Sequence, residues 1–305
     1  MEGKNILITG GCGFLGSNLA KRLIEKNKVS LFIRPGESRD NIKDFEDKLE
    51  VIEGDLTSKK DVSGALLETD YLYHFAWQTD LKKSMESPVD DLKNDLGGLI
   101  NILEVCRTHN PNVKIVFTST VTVADENSVY DINKLMAEKY FQMYYDLYGV
   151  KSCVLRLSNV FGEKQRIDNP NRGVLNFMIG RALQGEVLTV YGEGNWIRDY
   201  SYVQDYVDAF VSAAENEKTN GKVFVIGSGE GKTFNEVVEN IKKIVEELTG
   251  KNVKIEHVEF PEGSHDINKR NFVADYMKFR YPTGWYPKTS FEEGLRKTIE
   301  FYLEK

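Results

Sequence analysis

The sequence lacks long apolar runs, and it is poor in cysteine and histidine. No stretch approaches the roughly 18 apolar residues that a membrane-spanning helix needs, and no signal-peptide pattern precedes the first strand-like segment. The three cysteines include no CxxC pair, and the four histidines are scattered. We therefore expect no disulfide framework, no metal site, no membrane association and a cytoplasmic location.

The chain also lacks an excess of positive charge. The chain has 40 Lys and Arg residues against 47 Asp and Glu residues, which gives a formal net charge of -7. A surface that neutralises many phosphates needs the opposite balance, so a nucleic-acid partner is not expected. With 305 residues, 41% of them hydrophobic, the chain can bury the core of one large or two modest domains.

The first half of the chain alternates short β-rich runs with helical patterns. Candidate strands lie at Asn5–Ile8, Val29–Ile33, Val51–Ile52, Tyr71–Ala76 and Lys114–Thr118. Strands that are apolar at nearly every position are typical of a parallel sheet with helices on both faces. The sequence therefore predicts an α/β fold with a doubly wound parallel (Rossmann) sheet, whose ligands bind at the carboxyl ends of the strands.

This rhythm loosens after about residue 165, where Gly, Asn and Pro accumulate. We predict a dinucleotide-binding domain over residues 1–165, with a returning segment near 200–228. Most of residues 166–305 should form a smaller α/β substrate lobe, with helices at Phe234–Thr249 and Phe291–Tyr302.

A glycine-rich turn follows the first candidate strand. Its glycines have the spacing GxxGxxG and precede a helical pattern. At this place Gly10 permits a tight turn, Gly13 lets the backbone approach a pyrophosphate, and Gly16 allows close packing of the helix. The free N–H groups of a helix N-terminus attract phosphates. We predict a dinucleotide site here, which also uses Phe14 and Leu15.

The ends of the next two strands bear on which dinucleotide binds. An acidic residue that would accept hydrogen bonds from the ribose of NAD is missing after the second strand, where Arg34 stands. A guanidinium can pair with a 2'-phosphate, so the cofactor is NAD or NADP with a preference for NADP, unless Arg34 is a solvated turn residue. After the third strand come Asp55 and Leu56, where the carboxylate either reaches the adenine amino group or caps a helix.

Tyr130 and Lys134 form the candidate catalytic pair. They begin a helical pattern four residues apart, so both side chains lie on one face. Ser119 and Thr120 precede them, at the end of a strand that reaches the same edge of the sheet. A nearby ammonium and a cationic nicotinamide favour the phenolate, so Tyr130 can deprotonate a substrate alcohol while Lys134 holds the nicotinamide ribose. With Thr120 or Ser119 on the same oxygen and hydride moving to the nicotinamide, the predicted chemistry is alcohol–ketone oxidoreduction.

These motifs resemble those of the extended short-chain dehydrogenase/reductase family. Within it, the sequence is similar to the NAD(P)-dependent nucleotide-sugar epimerase/dehydratase branch, which includes enzymes like UDP-glucose 4-epimerase. The resemblance covers essentially the whole chain. Besides the glycine turn and the Tyr130 motif, it rests on five further blocks of sequence, His74–Trp77, Asn94–Gly98, Arg156–Gly162, Tyr191–Gly194 and Arg198–Asp205.

The resemblance implies further site residues and a partner. Residues that would line the cofactor are Phe75, Ala76, Trp77 and Asn94. Residues that would bind a nucleotide-diphosphate sugar are Asn159, Arg198 and Arg270 at the diphosphate, Tyr191 near the base and Ser84 near the sugar. A homodimer is implied as well.

Three functions fit these observations. A nucleotide-sugar epimerase, our leading interpretation, oxidises a sugar hydroxyl, commonly at C4, to a ketone and returns the hydride to the other face. A reductase of a nucleotide-linked 4-keto sugar would consume NADPH, as Arg34 favours. A non-catalytic NADP-binding sensor is disfavoured by the intact Tyr130 and Lys134 pair. A 4,6-dehydratase is disfavoured because Val121 and Thr122 stand where that branch carries Asp-Glu.

Overall fold

Strands and helices alternate along the chain of the computed structural model, which describes residues 1–260 and 270–304. The strands are β1 (Asn5–Thr9), β2 (Lys28–Ile33), β3 (Glu50–Glu53), β4 (Tyr71–His74), β5 (Lys114–Thr120), β6 (Ser152–Leu157), β7 (Asn159–Phe161), β8 (Leu188–Tyr191), β9 (Ile197–Tyr202), β10 (Lys222–Ile226), β11 (Gly231–Thr233) and β12 (Ile255–Val258). The helices are α1 (Phe14–Leu23), α2 (Lys59–Leu66), α3 (Leu81–Glu86), α4 (Pro88–Asp91), α5 (Gly97–His109), α6 (Val129–Tyr148), α7 (Val174–Gln184), α8 (Val203–Glu215), α9 (Phe234–Thr249), α10 (Met277–Thr283) and α11 (Phe291–Leu303). No helix within the described ranges is long and apolar enough to cross a membrane.

Shorter helical turns connect several of these elements. Between α4 and α5 the backbone makes a π-helical turn. The π turn is Leu92–Leu96. The 3-10 turns lie at Lys43–Lys48, Val121–Ala124, Pro170–Arg172 and Glu217–Thr219.

The chain divides into two compact units, each assembled from three pieces. The first unit comprises Met1–Leu157, Val207–Val225 and Met277–Trp285, and the second comprises Ser158–Tyr206, Ile226–Tyr276 and Tyr286–Lys305. The first long piece therefore ends at Leu157, where the sequence predicted a boundary at 165. A segment returns to the first unit at Val207–Val225, and a second return, Met277–Trp285, was not predicted.

A seven-stranded sheet organises the first unit. Its strand order is β10-β6-β5-β4-β1-β2-β3. The pairs β1–β2, β2–β3, β1–β4, β4–β5 and β5–β6 are all parallel. The order reverses at β1, which lies between β2 and β4, and the ligand crevice of such sheets lies at the carboxyl ends on either side of this reversal. The predicted Rossmann-like fold is confirmed.

The central strands are apolar because helices cover both faces of the sheet. Ile8 on β1, Leu31 on β2 and Ile115 on β5 are fully buried. Leu103 on α5 and Phe141 on α6 join Ile115 in one hydrophobic core. Burial of a side chain of this size contributes about 1.5–3 kcal/mol, so the alternating elements are held mainly by this packing.

The second unit contains two small sheets. One has the strand order β11-β9-β7 and the other pairs β12 with β8. Thr233 caps α9, because its hydroxyl accepts from Glu236 N while the Glu236 carboxylate accepts from Thr233 N.

Candidate active site

The glycine turn between β1 and α1 leaves room for a ligand against the backbone. Gly10 has a φ of +67°, and a Cβ there would lie 2.8 Å from Ala76 N. A Cβ on Gly16 would collide with the Gly10 carbonyl oxygen. Within this described segment, no side chain caps α1 and no acidic residue lies in its first turn, which includes Phe14 and Leu15. Unsatisfied N–H groups with positive potential suit a pyrophosphate, so the residues present fit a dinucleotide.

The ends of β1 and β4 lie side by side next to this turn. Thr9 Oγ1 accepts a hydrogen bond from Ala76 N at 3.2 Å and lies 2.8 Å from His74 Nδ1. Phe75 N donates to Thr9 O at 3.2 Å. Burial, together with the charge of Lys134, lowers the pKa of His74 to about 3, so its ring is neutral. The segment predicted to line the cofactor is thereby fixed against β1.

Arg34 and Asp55 follow β2 and β3, which are neighbouring strands. Both residues are exposed. Asp55 Oδ1 accepts from Thr57 N at 2.8 Å and so closes a local turn; the cap of α2 is Ser58. Leu56 is partly buried, and its carbonyl accepts from a side-chain amide on α5. The residues predicted at the adenosine end therefore lie at adjacent strand ends, with one carboxylate oxygen of Asp55 already bonded.

The π-helical turn directs Asp95, rather than the predicted Asn94, into the interior. Asn94 is exposed, whereas Asp95 is 7% exposed. Both carboxylate oxygens of Asp95 accept from Gln78 N, at 3.1 and 3.2 Å. Burial, reinforced by the nearby Asp91, raises the pKa of Asp95 to about 7. Asp95 is thus a site residue that sequence reasoning missed by one position.

Lys134 is buried, and its ammonium is held by a carbonyl group and two aromatic rings. Nζ donates to Thr118 O at 2.6 Å. It also lies 4.1 Å from the ring centroid of Trp77 and 4.3 Å from that of Phe117. Burial lowers the pKa of Lys134 to about 7, against the opposing charge of Asp95. Burial thus disfavours the charged form of Lys134, and the neighbouring carboxylate of Asp95 favours it.

Tyr130 stands one helical turn before Lys134 on α6. Its ring centroid lies 5.9 Å from Lys134 Nζ. Burial raises the pKa of the phenol well above its usual range, and the carboxylates of Asp131, Asp95 and Asp91 raise it further. Burial and these three carboxylates therefore oppose the phenolate that Lys134 and a cationic nicotinamide are predicted to favour. An added positive charge beside the phenol would act in the opposite sense.

Of the two candidate hydroxyls, Ser119 is hydrogen-bonded to Glu138, which also forms a partly buried ion pair with Arg156. Ser119 Oγ donates to Glu138 Oε1 at 2.5 Å, and Arg156 Nη2 donates to Glu138 Oε2 at 2.6 Å. Thr120 is partly exposed, and its Oγ1 accepts from Thr122 N at 3.2 Å. The geometry therefore favours Thr120 as the hydroxyl that meets a reacting oxygen. Sequence reasoning missed Glu138, although its position four residues after Lys134 places it on the same face of the helix.

Ser84, which the resemblance placed near the sugar, lies in the first unit on α3. It is fully buried. Its Oγ donates to Leu81 O at 2.7 Å, so its proton is used within its own helix. The structure supports a packing contact for Ser84 where the sequence predicted a ligand contact.

The other predicted substrate-binding residues belong to the second unit. Asn159 Nδ2 donates to Asp199 O at 3.0 Å, which ties β7 to β9. Tyr191 is exposed at the end of β8, with its ring centroid 5.8 Å from that of Phe260. Arg198 on β9 and Arg270 are both partly buried. Their roles stay predictions.

The carboxylate of Asp199 organises the segments around Arg198, and sequence reasoning did not identify it. Asp199 is 0% exposed. A buried carboxylate is costly unless hydrogen bonds compensate its lost hydration. Here it accepts hydrogen bonds of 2.9–3.1 Å from Ser158 Oγ, Ser201 Oγ, Ser228 N, Ser228 Oγ, Gly229 N and Ala274 N.

Comparison with known proteins gives consistent matches along the chain. The family model of the "NAD dependent epimerase/dehydratase family" matches residues 6–227. A UDP-N-acetyl-alpha-D-glucosaminuronate decarboxylase of Bacillus cytotoxicus is 30% identical, over 99% of this chain and 98% of its own length. The structure of a UDP-glucose 4-epimerase with UDP-glucose from Thermotoga maritima is 30% identical with a TM-score of 0.86, over 98% and 99% of the two chains. That of a Thermus thermophilus UDP-glucose 4-epimerase complex with NAD is 29% identical with a TM-score of 0.83, over the same shares.

We expect Gly16→Ala to abolish dinucleotide binding, because its Cβ would force apart the Gly10 carbonyl and α1. Binding of NAD and NADP to the purified protein, measured by calorimetry, checks this expectation. Gly64→Ala on α2 is the matched control, since nothing lies within 4 Å of a Cβ there. This control should bind normally and gain roughly 0.5–1 kcal/mol of stability, as usual for glycine to alanine in a helix. Unchanged binding by Gly16→Ala would contradict our description of the turn.

Proposed function

This chain belongs to the NAD dependent epimerase/dehydratase family, and we propose that it is a nucleotide-sugar epimerase acting at C4 of the sugar. It is an NAD(P)-dependent enzyme of the short-chain dehydrogenase/reductase type. The proposed reaction oxidises a sugar hydroxyl to a ketone and then returns the hydride to the opposite face, with no net redox change. The cytoplasmic location expected from the composition stays a prediction.

One observation carries this proposal, namely the grouping of a phenol, an ammonium and a hydroxyl at the start of α6 and the end of β5. Tyr130 Oη takes the proton of the sugar hydroxyl and gives it back when the ketone is reduced. Lys134 holds the ribose next to the nicotinamide, and Thr120 binds the reacting oxygen. A bound nicotinamide supplies the hydride acceptor and donor. Its positive charge lowers the phenol pKa, which burial and neighbouring carboxylates otherwise raise.

The neighbouring residues favour epimerisation over elimination of water. Val121 and Thr122 follow Thr120, so the acidic pair that a dehydratase would use there is absent from this described stretch. A decarboxylase begins with the same oxidation, and several relatives with 29–32% identity are decarboxylases. The two reactions are distinguished by their substrates, because only a sugar acid has a carboxylate to lose.

We expect the NAD-loaded protein to interconvert UDP-glucose and UDP-galactose, or the corresponding N-acetylhexosamines, and Tyr130→Phe to lose at least about 100-fold in kcat. NMR of the sugar anomeric protons measures product without a coupled assay. Phe keeps the ring of Tyr130, so bound NAD should be unchanged and the loss should fall on turnover. Release of carbon dioxide from UDP-glucuronic acid, with no epimerisation of any of these sugars, would overturn the proposal in favour of a decarboxylase.

Arg34 favours NADP over NAD, and with it the second candidate, an NADPH-dependent reductase of a nucleotide-linked 4-keto sugar. Arg34 is exposed at the end of β2, where a 2'-phosphate of the adenosine ribose would approach. A consumed cosubstrate must leave at every turnover, whereas an epimerase retains its cofactor.

We expect Arg34→Ala to weaken NADPH binding about 10- to 100-fold, with little effect on NADH, because one charge-assisted contact to the 2'-phosphate is lost. Quenching of tryptophan fluorescence measures both affinities. Arg39→Ala is the matched control, since the Arg39 guanidinium is already paired with Glu46 and Glu53. Stoichiometric NAD released on denaturing the wild-type protein, with no effect of Arg34→Ala, would contradict the NADP preference and support the epimerase.

We also propose a homodimer formed through an apolar stripe on α6. Ile132, Met136, Met143 and Leu147 are exposed, and their spacing of four, seven and four residues keeps them on one face of the helix. Their repeat resembles the seam between two packed helices. An exposed apolar stripe of this length is typical of an interface between subunits.

We expect Met136→Glu to convert a dimer to a monomer, because two carboxylates would be buried at the symmetric contact. Light scattering after size-exclusion chromatography measures the mass. Leu67→Glu, an equally drastic change of an exposed leucine at the end of α2, should leave the mass unchanged. A wild-type monomer at micromolar concentration would overturn the proposal.

A further inference from the structure

The face of the small sheet β11-β9-β7 that carries Arg198 also carries a lysine with no predicted role. Lys232 on β11 lies directly opposite Arg198 on β9, as its antiparallel partner. Asn159 on β7 lies directly opposite Tyr200, two residues after Arg198 on the same strand. Directly paired residues point to the same side of a sheet, and so do residues two apart on one strand. Lys232 therefore shares a face with Arg198 and Asn159, two residues predicted at a diphosphate, and all of them belong to the second unit.

The positive charges of Lys232 and Arg198 are only partly compensated by nearby carboxylates. Like charges directly opposite each other on paired strands repel, because the two Cβ atoms are only about 5 Å apart. Lys232 Nζ lies 3.8 Å from Glu292 Oε1, and the Glu292 side chain is 55% exposed. An ion pair as exposed as this contributes little. Glu236, whose pKa is lowered by the Thr233 cap and to a smaller degree by Lys232, already accepts from Thr233 N and Oγ1.

The ammonium of Lys232 keeps its donors available for a ligand. The Lys232 side chain is 20% exposed, and Nζ lies 5.5 Å from the ring centroid of Phe291. Most of the side chain is thus withdrawn from water while its charged end remains accessible, as is usual for lysine beside apolar surface. An ammonium has three N–H donors, and Nζ uses none of them in a hydrogen bond to the part of the chain that the structure describes.

We propose that Lys232 binds the diphosphate of the nucleotide sugar together with Arg198. This inference rests on the proposed function, which makes a diphosphate the charged group of the substrate. The diphosphate of a nucleotide sugar carries two negative charges, and its oxygens accept hydrogen bonds from both guanidinium and ammonium groups. Bound to both cations, it replaces their mutual repulsion with attraction. Arg198 supplies a planar fork of donors, and Lys232 adds a second point charge.

A purely structural role for Lys232 has a different consequence. Its pair with Glu292 would then tie β11 to α11, and removal of either partner would have the same effect. In the proposed role the two residues act in opposite directions, because Glu292 competes with the diphosphate for one ammonium. Variants of the two residues therefore distinguish the two roles.

Calorimetric titration of the full chain with UDP, in the presence of saturating NAD, tests the proposal. We expect Lys232→Met to weaken UDP binding about 10-fold, the effect of one charge-assisted hydrogen bond. Methionine keeps an apolar stem beside Phe291, so the melting temperature should change little. We expect Glu292→Gln to tighten UDP binding about two- to fourfold, because the competing charge is removed. Equal UDP affinity of Lys232→Met and wild type would overturn the proposal, and so would weaker binding by Glu292→Gln.

Matched controls separate the lost charge from a disturbed fold. Lys232→Arg keeps the charge and should bind UDP nearly as well as wild type. Lys243→Met removes the same charge from an exposed position on α9 in the same unit and should bind UDP normally. Uridine, which has no phosphate, should bind Lys232→Met and wild type equally. A loss of uridine binding as large as that of UDP would assign the effect to the fold and overturn the proposal.

Failure of the proposed function gives a different result, because UDP binding is measured without turnover. If wild type binds UDP and the variants change as expected, but no nucleotide sugar is epimerised, the epimerase proposal fails and Lys232 stands as a diphosphate ligand. If wild type binds none of UDP, dTDP and CDP, both proposals fail.

Discussion

The burial of one ammonium group, that of Lys134, is the constraint on which the rest of the site depends. Removing an ammonium from water costs several kcal/mol unless other groups replace its hydration. Here the Thr118 carbonyl and the faces of Trp77 and Phe117 replace it, with Asp95 as the buried opposite charge. These groups come from β5, α6, the π-helical turn and the segment after β4. The carboxyl ends of the sheet strands, where a dinucleotide is predicted to bind, are therefore also where the groups that stabilise the Lys134 ammonium lie.

The compensation for this charge is incomplete. Burial still lowers the pKa of Lys134 to about 7 and raises that of Asp95 to about 7. The charge of each group partly offsets the shift of the other. Tyr130 responds to the same field, because its phenol is kept neutral by burial and by nearby carboxylates. The catalytic pair and Asp95 form one electrostatic unit, and a change in any of them shifts the others.

The sequence predicted those features that depend on local pattern, and missed those that depend on contacts across the fold. The parallel sheet, the glycine turn and the Tyr130–Lys134 pair follow from periodicity and position. Ser119 and Thr120 could not be told apart, because neighbours on a strand face opposite sides and only the fold reveals which side holds Glu138. Asp95 faces the interior where the sequence predicted Asn94, because the backbone makes a π-helical turn there. Such a turn has no sequence pattern of its own.

The charges around the site bear on the choice between the two proposed reactions, epimerisation and reduction by NADPH. Asp91, Asp95 and Asp131 all raise the pKa of the Tyr130 phenol, so these three carboxylates oppose a negative charge at that oxygen. A negative field stabilises the cationic oxidised nicotinamide relative to its neutral reduced form. A reductase needs the reduced cofactor at rest, whereas an epimerase starts from the oxidised one. In the proposed epimerase these buried carboxylates would therefore stabilise the resting oxidised cofactor, while the exposed Arg34 would meet a 2'-phosphate at the adenosine end of the dinucleotide. These two preferences are compatible, because the adenosine end decides which dinucleotide binds and the nicotinamide end decides in which oxidation state it rests.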